Sequence, residues 1–169
     1  MEEGNLTLLQ LQEMITDTVS NALPDLYWVS GEVSQISLNA SGHCYIELVQ
    51  TDESTGRVVA KARAIIWRAR AEVLLSYFRE SAGSNPQKGM KMLLNVAVEY
   101  SAVWGLSLIV YDLDPNFTLG DIEKERQKTI RKLERQGMFE LNSSLELPVL
   151  PLRVAIVSAA GAAGYGDFM

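Results

Sequence analysis

The chain has 169 residues, a formal net charge of −6 and 47% hydrophobic residues. That suits one compact domain with a sizeable core plus some further chain, and it excludes disordered, fibrous and low-complexity classes. A single cysteine, Cys44, and a single histidine, His43, exclude a disulfide framework, a cysteine zinc site and a multi-histidine metal centre within one chain, so no metal site is expected.

The opening Met-Glu-Glu-Gly-Asn is acidic and polar, and no later apolar run reaches bilayer-spanning length. A soluble protein of a reducing cytoplasm, with no membrane partner, is the expectation. The first 26 residues carry Glu2, Glu3, Glu13, Asp17 and Asp25 and no base, which accounts for most of the acidic excess. Within them Thr7 and Gln10 have capping-box spacing, and Leu8, Leu11, Ile15, Val19 and Leu23 recur at helical period until Pro24.

From Tyr27 the pattern changes to short runs rich in β-branched and aromatic residues, predicting strands at 27–37, 42–50, 57–67, 89–100 and 104–113. Hairpin-like turns separate them at Asn39–Gly42, Asp52–Gly56 and Ser101–Gly105. Between the third and fourth strands, Arg68 to Glu80 reads as a helix, followed by a loop through Pro86. Five strands with a helix between the third and fourth is the element order of an OB-fold barrel, here preceded by a helix, so the fold class is mainly β.

After Asp114-Pro115 a helix is expected over 118–137, with Thr118 and Asp121 at its start. Ile122, Ile130 and Leu133 are too sparse for a core stripe, which makes this segment a connector. Leu147-Pro-Val-Leu-Pro151 reads as a linker, and residues 153–158 have the apolar run of a buried parallel strand. The expected organisation is a nucleic-acid-binding domain at 1–116, a helical connector and linker at 117–152, and the first strand and turn of a truncated α/β domain at 153–169.

The stretch Val58–Ala71 holds Lys61, Arg63, Arg68 and Arg70 with no acid, and Arg57 precedes it. Strand alternation puts Arg57, Val59, Lys61, Arg63, Ile65 and Trp67 on an outward face, and Val58, Ala60, Ala62, Ala64 and Ile66 on the interior one. Cations beside a flat ring are what single-stranded nucleic acid requires, since charge tracks phosphates while rings stack on bases. His43 and Tyr45 share a face of the second strand, Lys88 and Lys91 flank the start of the fourth, and Trp104 sits at a hairpin tip. These residues are the candidate interface. Outward Lys and Arg also serve simply to solvate a sheet face, and aromatics to cap a core.

Other motifs carry less. His43 beside Cys44 cannot complete a metal sphere, and the acids Asp52, Glu53, Asp112 and Asp114 lie where solvated acids are common. The glycine-rich end after Ser158 matches neither the dinucleotide fingerprint nor a P-loop.

Taken together, WVSGEVSQISLNASGHCYIELVQTD, AIIWRARAEVL, KGMKMLLNVAVEY, LSLIVYDLDP and LPVLPLRVAIVSAAGAAGYGDF resemble the N-terminal part of the large-subunit family of exodeoxyribonuclease VII. The resemblance implies an OB-fold that binds single-stranded DNA, a following catalytic domain and partnership with several copies of a small helical subunit. It also implies hydrolysis of single-stranded DNA from both ends to short oligonucleotides. Asp167 takes the place of the family's acid after the Gly-Ala-Ala turn, with Gly164-Tyr165-Gly166 one residue longer than the commoner pattern. On this reading the other catalytic residues lie past Met169, and the present stretch binds without cutting. No cofactor is expected in it, and any divalent metal of the catalytic part is left open. A stand-alone single-strand-binding module and a protein- or oligosaccharide-binding barrel are the competing readings.

Overall fold

In a computed structural model, residues 5–141, 143–146 and 157 are described. The capping box forms: Thr7 Oγ1 accepts the Gln10 N–H at 3.2 Å, and Gln10 Oε1 accepts the Thr7 N–H at 2.8 Å. Those two bonds satisfy donors that the first helical turn leaves orphaned. Helix α1 (Leu8–Ala22) follows and ends before Pro24, with the Leu23 N–H donating to the Val19 carbonyl. It buries no residue completely; Ile15 and Val19 are half-buried, while Leu8, Leu11 and Leu23 stay exposed.

The five strands are β1 (Leu26–Leu38), β2 (Cys44–Thr51), β3 (Val58–Ile66), β4 (Lys91–Ser101) and β5 (Gly105–Asp114), with α2 (Arg68–Ala82) between β3 and β4. They close into a barrel in the order β1-β2-β3-β5-β4. β1 makes closure possible by pairing with β4 over its first half and with β2 over its second. Around Gly31, where a Cβ would come within 3.2 Å of Leu48 Cβ, there is room for no side chain without displacement. The pairing of β3 with β5 is parallel, and α2 supplies the crossover between their halves of the barrel. This is the OB-fold that the element order predicted.

Alternation in β2 is regular, with Cys44, Ile46 and Leu48 buried and Tyr45 and Glu47 on the other face. The core joins these to Val33, Ala64, Ile66, Met92, Leu94, Val96, Leu108 and Val110, and α2 closes it with Ala71, Leu74 and the fully buried Phe78. Removing a ring of that kind from a packed core typically costs about 3–5 kcal/mol.

Three details depart from the sequence expectation. In β3 the interior row starts at Ala62, since Val58 and Ala60 are exposed where the β2–β3 hairpin runs on beyond the core. Ile65, expected outward, is buried. Trp67 is not a strand residue; it is the N-cap of α2.

The third helix, α3 (Pro115–Arg135), starts three residues before the expected Thr118. Proline suits a first helical position, and Asp114 Oδ1 accepts the Asn116 N–H at 2.9 Å as the cap. Thr118 is instead buried, donating its hydroxyl to the Lys91 carbonyl at 2.8 Å, and Asp121 pairs with Lys91 at 3.5 Å. The chain divides into two compact units, Met1–Gln127, which holds the barrel, and Lys128–Met169. Of the expected strand at 153–158, Val157 is described and is exposed outside any regular element. Its other residues, the Leu147–Pro151 linker, the glycine-rich turn and Asp167 lie outside the described residues. Among the described residues no helix is long and apolar enough to cross a membrane.

Candidate nucleic-acid interface

The interface is organised around the start of α2. Trp67 has no side-chain hydrogen bond of its own with which to cap that helix. His43 supplies one from the β1–β2 turn, its Nδ1 accepting the Arg68 N–H at 3.0 Å. The ring is therefore held as the tautomer with its proton on Nε2. Asn39 fixes the turn, since its Oδ1 accepts the His43 N–H at 2.8 Å and its carbonyl accepts the Gly42 N–H. Gly42, at φ +83°, allows the reversal and leaves space against the Arg68 side chain, whose Cγ would lie 3.1 Å from a Cβ there.

Beside this junction opens a groove of about 330 Å³. Tyr45, Trp67, Tyr100 and Trp104 line it, with Arg63 as its cation and Glu99 as its acid. Ile65 and Ile109, neighbours across the parallel β3–β5 pairing, form part of its lining. That explains why Ile65 is buried although it points away from the core: it lies among the aromatic rings that line the groove. Trp104 is 73% exposed and Trp67 43%, so flat apolar surface faces solvent here. Tyr100 is held in place through its hydroxyl, which donates to Gln12 Oε1 of α1 at 2.6 Å.

Charge next to the groove is nearly balanced. Lys61 Nζ lies 2.7 Å from Glu47 Oε1, and Glu47 stands directly across β2–β3 from Arg63. Ser34 donates its hydroxyl to Glu47 Oε2 at 2.8 Å. Hydrogen bonds from Lys61 and Ser34, with the charges of Lys61 and Arg63, hold the Glu47 carboxyl below the usual carboxylate range. Lys61 is thus engaged by an acid, yet both side chains are solvent-accessible, and an exposed pair of this kind is readily exchanged for another anion.

Of the residues singled out in the sequence, the fold brings Tyr45, Arg63, Trp67 and Trp104 into the groove, with His43 behind Trp67 and Lys61 two residues from Arg63. The others go elsewhere. Arg70 stacks on Tyr111, its Cζ 4.3 Å from the ring centroid, and donates to the Tyr111 carbonyl at 3.3 Å. Arg68 lines a separate cleft with Glu72 and Arg79. Lys91 is taken by Asp121, Lys88 lies in the loop before β4, and Arg57 is in the β2–β3 hairpin. Tyr100 went unread because it shares the parity of Met92, Leu94 and Val96, so alternation assigns it to the core. Its aromatic character next to the Trp104 hairpin was the available signal.

Aromatic faces over an apolar floor, with cations at one side, form a surface on which bases can stack while a backbone runs alongside. A family model for the OB-fold nucleic acid binding domain matches residues 6–114, the stretch that builds the barrel and this groove. The chain belongs to that family. The OB-fold chain is also similar to curated exodeoxyribonuclease 7 large subunits. It is 34% identical to that of Deinococcus radiodurans, over 98% of this chain and 40% of the relative. For Rhodopirellula baltica the identity is 30%, over 97% and 34%, and for Thioalkalivibrio sulfidiphilus 26%, over 96% and 33%. The chain thus spans between a third and two fifths of the length of these relatives. Two solved structures show a looser likeness. The N-terminal domain of PriB from Thermoanaerobacter tencongensis has a TM-score of 0.36 at 14% identity, covering 54% of this chain and 94% of that one. A mitochondrial single-stranded DNA binding protein from S. cerevisiae has 0.33 at 13%, covering 53% and 91%.

Proposed function

We propose that this chain binds single-stranded DNA in the groove between Trp67 and Trp104. The observation that carries the reading is the convergence of four aromatic side chains and Arg63 on one outward surface of the barrel. Bases stack on Trp67, Trp104, Tyr45 and Tyr100, at about 1–3 kcal/mol per base, and Arg63 and Lys61 follow the phosphates. His43 acts through Trp67, whose ring it braces. Arg57, Arg68, Arg70, Lys88 and Lys91 add at most to the wider field.

The chain is proposed to be the DNA-binding portion of a cytoplasmic exodeoxyribonuclease large subunit that acts on single strands with a small helical partner subunit. Residues 1–116 are the binding domain and 117–152 the connector, and 153–169 open the catalytic domain, where Asp167 serves as one catalytic acid. A single carboxylate does not position water, stabilise the developing phosphorane charge and protonate a leaving group, so this stretch binds and does not cut. Similarity to exodeoxyribonuclease 7 large subunits along nearly the whole chain supports this reading over a stand-alone binding module.

The test is a titration with oligo-dT followed by tryptophan fluorescence at two salt concentrations and with duplex competitor. Quenching that survives duplex competitor and weakens with salt is expected. No quenching, or quenching abolished by equimolar duplex, overturns the assignment. Release of nucleotides from labelled single strands by highly purified protein overturns the statement that it does not cut.

A further inference from the structure

The sequence of α3 from residue 128 reads Lys-Thr-Ile-Arg-Lys-Leu-Glu-Arg, four cations and one acid in the second half of the helix. At 100° per residue, Lys128, Arg131, Lys132 and Arg135 fall within an arc of about 100°. Glu134 lies about 60° outside the arc, beyond Arg131, and the half-buried Ile130 and Leu133 take another side. Among the described residues, the four cations and Gln136 line a shallow recess of about 390 Å³, with no carboxylate in its lining.

Two contrasts show that this is more than a solvated helix surface. Earlier in α3 the charges compensate each other: Arg126 pairs with Glu123 at 3.3 Å, and Gln127 donates to the same carboxylate at 2.8 Å. Among the described residues, Arg131, Lys132 and Arg135 make no ion pair. The helix dipole accounts for cations in the last turn, here Lys132 and Arg135. Its influence falls off within one turn, which leaves Arg131 unexplained.

We propose that this stripe is a second nucleic-acid site, which holds the sugar-phosphate backbone of DNA and reads neither base nor strandedness. Lys128 to Arg135 spans about 10 Å along the axis, against one phosphate per 3.4 Å along each duplex strand, so about three phosphates lie within reach. Guanidinium groups of Arg131 and Arg135 suit two-pronged contact with phosphate oxygens, and Lys132 between them brings a mobile point charge. The arc carries no aromatic or apolar side chain, so nothing on it stacks with an unpaired base. An acidic protein segment would satisfy the same charges. A polyphosphate backbone is favoured because the stripe follows, in the same chain, an OB-fold nucleic acid binding domain matched over residues 6–114. The site is independent of the groove, which needs unpaired bases.

The experiment uses the 169-residue chain and a labelled 20-base-pair duplex. Anisotropy is followed over a salt series for wild type and for R131Q/K132Q/R135Q. Each lost phosphate contact removes about 0.9 from the slope of log K against log salt, so the slope should flatten by about 2–3 in the triple variant. R131K/R135K should keep the wild-type slope, and the triple variant should keep oligo-dT quenching of the groove tryptophans. An unchanged duplex slope in the triple variant, or no duplex binding by wild type at low salt, overturns the proposal. If the slope flattens while oligo-dT gives no quenching even in wild type, the groove assignment fails and the stripe stands.

Discussion

The ring of His43 meets that of Trp67 edge to face, centroids 5.0 Å apart and planes at 87°, while the same imidazole caps α2. One side chain thus sets the end of a helix and the attitude of an exposed indole. In His43→Ala the Arg68 N–H loses its acceptor, and loss of a cap costs about 1 kcal/mol, or a few degrees in Tm. Trp67 also loses its brace, so oligo-dT binding should weaken together with stability. Thermal melts and fluorescence titrations on one preparation check both; normal binding in a destabilised variant would show that Trp67 holds its position unaided.

Trp104 separates binding from stability. At 73% exposure it contributes little to the core, so Trp104→Ala should leave Tm nearly unchanged. Loss of one stacked base weakens single-strand binding by about 1–3 kcal/mol, roughly 5- to 150-fold in Kd. Anisotropy with labelled oligo-dT and a melting curve read the two effects, and unchanged Kd would remove the hairpin tip from the interface.

Glu47 restrains the cations next to the groove. Glu47→Gln removes the partner of Lys61 and the charge facing Arg63, so single-strand affinity should rise and its salt dependence steepen by up to about 0.7, one added contact. Lys61→Gln in the same background should cancel the gain. An affinity that falls in Glu47→Gln would mean the carboxylate positions Lys61 for DNA instead of competing with it.

Asp52 stiffens the β2–β3 hairpin. Its Oδ1 accepts from the Ser54 hydroxyl at 2.6 Å, the Thr55 hydroxyl at 2.8 Å and the Thr55 N–H at 2.7 Å. Hydrogen bonds from Ser54 and Thr55 push its carboxyl down to about 2 from the ordinary 3.8. A folded-state pKa below the unfolded value stabilises above the unfolded pKa, and the contribution is lost as pH falls through the folded one. Asp52→Ala should therefore melt below wild type at pH 7, and the gap should narrow between about pH 4 and pH 2. A gap independent of pH would assign the effect to turn geometry alone.

Features with a local cause were legible before the fold was known. The Thr7–Gln10 box and the alternation of β2 depend on residues a few positions apart. The hairpin turns follow from glycines at positive φ, such as Gly42 and Gly105. The candidate interface was legible only in part. Parity and turn position put Arg63, Tyr45 and Trp104 on the outward surface where the groove lies, whereas Arg70 and Lys91 are drawn to Tyr111 and Asp121, partners 41 and 30 residues away in the chain.

Periodicity and cap chemistry, read from the sequence by itself, determined the element order, the barrel class and the outward cations of the third strand, while the resemblance of whole segments pointed to a nuclease large subunit. Tertiary structure alone decided which of those cations stand beside aromatic rings, that Tyr100 joins them, that Glu47 holds Lys61 and that His43 caps α2. The reason is physical: side-chain direction within a strand or helix is set by neighbouring backbone geometry, whereas the partner each side chain meets is set by barrel closure, which places β3 beside β5.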